Sequence, residues 1–223
     1  MRPPDAGVRR WCGALIAGGA SRRMGRNKLL LPWRGRRVVD APAAALAATC
    51  DRLLCAGPDL GLPGFQVIAD LMPGAGPLAG LAAALAAAGE GPVVVLAGDL
   101  PGMDEAFIRW LQRAALVDPD RPCVPRGPRG LEPLAAVWPA ALAEELAARL
   151  RSGQRALQRI LAEIPHRAWP LPDEAKMRAA LRNLNEPADW RGLTGSPLPG
   201  PDDPDLARDP QPDPGVHPEQ DPA

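Results

Sequence analysis

Residues 16 to 28 read Ile-Ala-Gly-Gly-Ala-Ser-Arg-Arg-Met-Gly-Arg-Asn-Lys and follow directly on the apolar run Trp11–Leu15. A strand that empties into a glycine-rich, cationic loop is suited to cradling phosphate. Gly18, Gly19 and Gly25 permit backbone turns that let several N–H groups converge on phosphate oxygens. Ser21 adds a hydroxyl, and Arg22, Arg23 and Lys28 supply the positive charge that a triphosphate needs. Residue usage sharpens the point. The chain has only two lysines, Lys28 and Lys176, and only three serines, of which Ser21 is one. Rare types gathered in one loop argue against a merely solvated turn. The loop matches neither G-x-x-x-x-G-K-[ST] nor G-x-G-x-x-G, which disfavours a P-loop NTPase or a dinucleotide-binding fold.

Two further segments carry chemistry of the same kind. Asp70 ends an apolar run and precedes Pro73-Gly74-Ala75-Gly76-Pro77-Leu78-Ala79-Gly80, a glycine-rich turn into a helix. Backbone groups in such a turn can read a base edge, and a helix N-terminus favours anions. Then Val93–Leu100 places one carboxylate, Asp99, just beyond a run that is apolar on both faces. Mg²⁺ prefers few protein oxygens together with phosphate and water, so a carboxylate there is set to hold Mg²⁺ against a phosphate. A helix-capping role for Asp99 is the weaker reading, because Pro101 and Gly102 intervene before the helix signal at Met103-Asp104.

Composition removes other chemistries. The four cysteines, Cys12, Cys50, Cys55 and Cys123, form no C-x-x-C pair, and the two histidines are His166 and His217. A structural zinc site, a Ser-His-Asp triad and a Cys-His pair all lack members, and no G-x-S-x-G elbow is present. Scattered cysteines without an N-terminal apolar h-region fit a reducing cytosol, so a cytoplasmic location is expected. Formal charge is zero overall, yet residues 196–223 carry seven acidic residues and one Arg, leaving the body at +6. A modestly cationic body without tyrosine or aromatic interleaving suits an anionic small molecule better than nucleic acid. Residues 71–98 hold one charge, Glu90, but are Ala- and Gly-rich and broken by prolines. They read as a helix followed by a buried strand, and no membrane association is expected.

The elements that must position these groups alternate. Strands are expected at Trp11–Ala17, Arg52–Ala56, Phe65–Ala69, Pro92–Ala97, Pro122–Pro125, Leu134–Trp138 and Ala168–Leu171. Helices are expected at Asp40–Thr49, Pro77–Ala88, Met103–Leu116, Ala140–Leu150, Gln154–Glu163 and Asp173–Leu181. Such alternation implies βαβ units, an α/β class and a mostly parallel sheet, with ligands beyond the carboxyl ends of the strands. From Ser196 onward nine of 28 residues are proline, mixed with Asp and Gly. The domain is therefore expected over 1–195, and 196–223 as a disordered acidic tail.

In chain order these segments resemble the nucleotidyltransferases that complete the molybdenum cofactor. Ile16–Lys28 is similar to their L-A-G-G-x-S-x-R-M-G-x-x-K loop, Gly76–Gly80 to G-P-L-x-G, and Gly98–Pro101 to a D-x-P metal motif. Pro133–Trp138 resembles a P-L-x-A-x-Y/W strand, and Asn183–Asp189 a closing N-x-N-T-P-x-D segment. Departures are Asn27 where an acidic residue is common, Glu186 in place of Thr, and no Asn after Leu53–Ala56. The resemblance spans roughly residues 13 to 190 and implies a three-layer, Rossmann-like fold of nucleotidyltransferase type. It further implies guanylyl transfer from GTP to Mo-molybdopterin with release of pyrophosphate and Mg²⁺ as cofactor. Arg23, Lys28 and Asp99 are then the expected catalytic groups, with Asp99 on the metal. Ile16, Ala17, Gly18, Gly19, Ser21, Lys28, Asp70, Gly76, Pro77, Leu78, Gly80 and Asp99 would contact the nucleotide. Asn183 and Asn185, two of only three asparagines, would face the metal or the molybdopterin phosphate, since an Asn amide can coordinate Mg²⁺ through its oxygen or donate a hydrogen bond to phosphate through its NH₂. A monomer or weak homo-oligomer is expected, with a molybdoenzyme or its chaperone as recipient. Alternatives are the cytidylyl version, disfavoured by the Gly18-Gly19 pair, a sugar-phosphate nucleotidyltransferase, and a non-catalytic cofactor-binding chaperone.

Overall fold

The computed structural model describes residues 10–18, 27–69, 72, 74–185, 187–196 and 198–199; Gly19, Ser21, Arg22, Arg23, Gly25, Asp70 and the tail from residue 200 lie outside them. Strands are β1 Cys12–Ile16, β2 Pro32–Trp33, β3 Arg36–Arg37, β4 Arg52–Ala56, β5 Phe65–Ile68, β6 Pro92–Ala97, β7 Cys123–Gly127, β8 Gly130–Leu131, β9 Ala135–Pro139 and β10 Arg167–Pro170. Helices are α1 Asp40–Ala47, α2 Pro77–Ala88, α3 Glu105–Ala115, α4 Ala143–Arg151, α5 Leu157–Glu163, α6 Ala175–Ala180 and α7 Pro187–Thr194.

The large sheet runs β10-β7-β9-β6-β1-β4-β5, with β8 paired to β7. All neighbours along it are parallel except at β9, which runs antiparallel to both β6 and β7. The chain moves outward from β1 to β4 and β5, then returns to lay β6 on the other side of β1. That reversal is a topological switch point, where the loops beyond the strands part and leave a crevice. Register keeps the three central strands level there, since Ile16 lies opposite both Ala56 and Ala97. Pairing extends one step further: Ala17 N–H donates to Ala56 O at 2.9 Å and Gly98 N–H to Ile16 O at 3.1 Å.

Val93 to Leu96 are fully buried, as strands covered on both faces require. One face packs α1, α3 and α6 through Leu46, Phe107, Leu111 and Met177. The other packs α2, α4 and α5 through Leu81, Leu85, Leu146 and Ile160. A third, small cluster of Leu31, Trp33, Val38, Leu184 and Trp190 sits apart. Its Trp33 and Trp190 rings meet edge-on, centroids 6.3 Å apart.

Strands and helices fall within a few residues of the expected ranges, and α2 and β6 match theirs end to end. The chain at Ala140 enters α4 through a 3-10 turn, Ala140–Leu142. The pattern did not anticipate the β2–β3 hairpin, β8 or α7. The hairpin turns through Arg34 and Gly35, both at positive φ, the backbone of a two-residue turn. Pro187 at the helix start and Asp189 in its first turn are the helix signals in the closing segment. Among the described residues, no helix is long and apolar enough to cross a membrane.

Candidate active site

Asp99 stands just past β6 at the switch point and is the buried charged residue among those described. It does not cap α3. Asp104 does that, its Oδ1 accepting from Phe107 N–H at 2.9 Å, so Asp99 is left for side-chain partners. Lys28 Nζ donates to Asp99 Oδ2 at 2.5 Å and to Asn185 Oδ1 at 2.8 Å. Asn183 Nδ2 donates to Asp99 Oδ1 at 3.4 Å. Four of the expected site residues therefore converge from three stretches of chain, with Lys28 and Asn185 157 positions apart.

Local structure explains the convergence. Asn27 accepts Leu29 N–H through its side chain at 3.1 Å and so starts the 3-10 turn Lys28–Leu30. That turn drives Leu29 into the core against Gly98, where an added Cβ would lie 3.2 Å from both Leu29 methyls. Lys28 is thereby carried to the residue after Gly98. On the other flank, Leu184 N–H donates to Asp99 O at 3.0 Å, and Asn185 N–H donates to Asp189 Oδ2 at 2.8 Å. The Trp33–Trp190 cluster binds these flanks together, because β2 follows Lys28 and α7 follows Asn185.

The Lys28 and Asp99 side chains are 17% and 11% exposed. A pair this dehydrated adds little net stability, since lost hydration offsets much of the Coulomb attraction. Its value lies in holding one cation and one carboxylate at a fixed place beside the glycine-rich loop.

Other expected contacts divide. Gly18 is exposed at the end of the described part of the loop. Gly76 caps α2 at φ 87°, and Pro77 occupies the first turn, where no N–H is missed. Three side chains and one glycine Cα face the core. Ile16, Ala17 and Leu78 are buried in the core, and an added Cβ at Gly80 would lie 3.3 Å from Ile16 Cγ2. Their part is to seat α2 and the loop on the sheet; close packing between helix and strand leaves no side-chain face for a nucleotide there. Gly19, Ser21, Arg23 and Asp70 lie outside the described residues.

Two residues that the motifs did not single out also belong to this edge of the sheet. Gly57, just after β4, has φ 137°, and a Cβ there would sit 2.8 Å from Gly18 N and 2.9 Å from Ala17 C. Its bare Cα lets the end of β4 touch the start of the phosphate loop; the Ala56-Gly57-Pro58 turn was the available signal. Arg129, in the turn between β7 and β8, donates through Nη2 to Asn183 Oδ1 at 2.8 Å and to Leu181 O at 3.2 Å.

Nucleophilic alternatives are weak on physical grounds. Burial pushes the Cys50 thiol up to about 12 and those of Cys55 and Cys123 to about 11, and it raises Cys12 as well. Such thiols stay protonated and unreactive. His166 precedes β10, which runs parallel to β7, so it lies at the opposite edge of the sheet from Asp99. The arrangement can hold polyphosphate, neutralise its charge and present one carboxylate oxygen to a hard cation.

Comparison with known proteins identifies the family and the fold. The chain is 37% identical over 185 residues to a probable molybdenum cofactor guanylyltransferase of Deinococcus radiodurans, covering 82% of this chain and 93% of that one. Its fold is similar to that of molybdopterin-guanine dinucleotide biosynthesis protein A from Archaeoglobus fulgidus, at 23% identity and a TM-score of 0.71 over 82% of this chain and 97% of that one. It is also similar to Rv0371c from Mycobacterium tuberculosis in complex with manganese, at 19% identity and a TM-score of 0.59 over 84% and 99%. The MobA-like NTP transferase domain matches residues 13–168, from β1 into the start of β10. With Lys28 and Asp99 both inside the matched residues, the chain belongs to the MobA-like NTP transferase family.

Proposed function

We propose that this nucleotidyltransferase moves GMP from GTP to Mo-molybdopterin and releases pyrophosphate. The observation that carries the reading is the convergence of Lys28, Asp99, Asn183 and Asn185 at the switch point. The nucleotide and acceptor follow from the relative in Deinococcus radiodurans, similar across most of both chains. The Gly18-Gly19 pair, commoner in guanylyl than in cytidylyl members, supports guanine over cytosine.

The reaction forms a bond between a phosphate oxygen of molybdopterin and the α-phosphorus of GTP, and it breaks the α–β bridge. Electrons of that bridge leave with pyrophosphate. Little covalent chemistry is asked of the protein, so positioning and charge neutralisation carry the rate. Lys28 can exchange its contact with Asn185 for a phosphate oxygen and stabilise the departing pyrophosphate. Arg23 is assigned the same charge-neutralising task and Ser21 a hydrogen bond to phosphate. Gly18 and Gly19 admit the nucleotide against the backbone, with Asp70 and the turn at Gly76 and Pro77 toward guanosine.

A divalent cation fits the donors present. Among the described residues no group of three or more His, Cys, Asp or Glu is placed to hold a metal. The one buried carboxylate, Asp99, leaves most of an ion's oxygen shell to phosphate and water, the pattern Mg²⁺ prefers. When bound, such an ion would neutralise α- and β-phosphate charge and polarise the α-phosphorus. Asn185 Oδ1, which accepts from the same Lys28 Nζ as Asp99, is a further oxygen beside this pair.

The test is pyrophosphate release by the purified protein with Mg²⁺ and Mo-molybdopterin, each nucleoside triphosphate supplied alone. Release with GTP only is expected. Release with CTP only moves the assignment to the cytidylyl reaction, and none with any nucleotide overturns the reading.

A further inference from the structure

We propose that Arg129 is a positioning residue for nucleotidyl transfer, acting on Asp99 by fixing which end of the Asn183 amide the carboxylate meets. As a role in that transfer, this rests on the proposed reaction. The geometry behind it does not.

An asparagine amide has an acceptor end and a donor end, and alone it can turn either way. Here both neighbours are one-sided. A guanidinium only donates, and an ionised carboxylate only accepts. Arg129 Nη2 takes Asn183 Oδ1 at 2.8 Å, so Asn183 Nδ2 must face Asp99 Oδ1, 3.4 Å away. The two Asp99 oxygens thus receive different donors, Oδ1 the Asn183 amide and Oδ2 the Lys28 ammonium. This polarity has a consequence for the site. Asn183, expected to face a metal or the acceptor phosphate, has the oxygen that a metal would need engaged by Arg129. Asn185 is the asparagine whose oxygen meets the ammonium.

The same Arg129 nitrogen also holds Leu181 O at 3.2 Å, two residues ahead of Asn183. Backbone and amide are therefore gripped from one point on the β7–β8 turn. From the other side, Leu184 N–H is bonded to Asp99 O. Remove the guanidinium, and the Asn183 oxygen can rotate toward Lys28 while Asp99 Oδ1 loses its fixed donor. Outer-shell partners of this kind commonly change activity by about ten- to a hundredfold while leaving the fold intact.

The experiment compares Arg129→Ala, Asn183→Ala and the double variant in steady-state kinetics, with Arg129→Lys as the conservative variant. Arg129→Ala is expected to lower kcat about tenfold with KM for GTP within about twofold, as loss of orientation rather than of binding predicts. Arg129→Lys should recover part of the loss, because one ammonium can still donate to the Asn183 oxygen. The double variant should be no slower than Asn183→Ala alone, since Arg129 acts through that amide. Independently of turnover, the Asn183 side-chain NH₂ signals in ¹⁵N NMR, assigned by their loss in Asn183→Ala, should be protected from solvent exchange and lose that protection in Arg129→Ala. Equal slowing by Arg129→Ala in the presence and absence of Asn183, or unchanged NH₂ protection, overturns the proposal. Wild-type protein that releases no pyrophosphate overturns the guanylyl reading instead, and the NH₂ signals still decide what Arg129 does. Should Arg129→Ala fail to fold, Arg129→Lys carries both readouts with smaller shifts of the same sign.

Discussion

The sheet holds its two sides of the site by different means. On the β1–β4–β5 side, loops are anchored by main-chain pairing and by contact of backbone with backbone. Ala17 N–H is bonded to Ala56 O, and the bare Cα of Gly57 lies against the Ala17–Gly18 peptide. On the side that includes β7, β9 and the chain beyond α6, the groups reaching Asp99 are held largely by side chains. Arg129 grips Asn183, Lys28 grips Asn185, and two tryptophans and three aliphatic residues make the packing. Main-chain pairing on a buried sheet opens only with much of the fold, whereas a few side-chain bonds over a satellite cluster open locally. On the proposed reaction, the first side would give the start of the glycine-rich loop at Gly18 a fixed base. The second would let donors exchange between the carboxylate and a substrate.

The heaviest blow to this comparison falls where the sides meet. Asp99→Asn keeps the shape but removes the charge that Lys28 and a cation both need. It should lower kcat by about a thousandfold, about 4 kcal/mol of barrier, with the fold retained in circular dichroism. Near-normal turnover would remove Asp99 from the chemistry and leave the two sides without a common centre.

Next comes Trp190→Ala on the second side. Deleting a buried tryptophan costs about 3 kcal/mol or more, here drawn from a cluster of five buried residues. Amide exchange over residues 183–194 should accelerate by about a hundredfold, as a local opening implies, while β1 and β6 keep their protection. Uniform acceleration through the sheet would mean that the two sides open as one unit and the contrast is false.

Gly57→Ala tests the first side. A Cβ 2.8 Å from a backbone nitrogen, at φ 137°, must displace main chain. The cost is expected at about 2 kcal/mol of global stability, read as a lower midpoint in urea with an unchanged slope. KM for GTP should rise as well, because the displaced atoms belong to the phosphate loop. A variant as stable as the parent, with the same KM, would show that this backbone contact carries nothing.

How much of this was readable from the chain follows the same division. Lys28 was legible as one of two lysines, closing the glycine-rich loop, and Asp99 as the one carboxylate just past a contiguous apolar run. Strand and helix positions came through for the same reason: α2 and β6 are continuous stretches whose ends carry Gly and Pro. Arg129 was not legible, since the cations of this chain are almost all arginine and nothing beside it distinguishes one from another. Its role exists only once the β7–β8 turn and the chain after α6 are brought together in space. The α7 helix was missed despite Pro187 and Asp189, because the asparagines ahead of it drew the segment toward a loop reading. At Leu78 and Gly80 the sequence does not show which way the side-chain positions face. They lie in a motif suited to ligand contact, yet the helix turns them onto Ile16 and the core.

The smallest expected effect separates the two sides most cleanly, because it should be close to zero on the sheet. Cys12 and Cys55 lie on β1 and β4 and Cys50 between them, while Cys123 lies on β7. Burial raises all four thiols, three of them to about 11 or 12. Disulfide-exchange reagents attack thiolates, so at about pH 8 no more than roughly one in a thousand of the Cys50, Cys55 or Cys123 thiols is reactive, and their native labelling should be slow until denaturant is added. The linkage sign follows from the same shifts. Near and above the ordinary thiol value of 9.0 an unfolded thiol loses its proton while the folded one, with its pKa raised to about 11 or 12, keeps it. The unfolded state then binds fewer protons, so stability that is complete at lower pH declines as pH rises from there toward the folded values. Labelling of Cys123 in Trp190→Ala is the decisive comparison. If the strap around Asn183 opens on its own, Cys123 on the sheet should label no faster than in the parent, even where exchange over residues 183–194 has risen. Faster labelling of Cys123 would tie the strap to the sheet edge and make the donor exchange at Asp99 a motion of the whole second side.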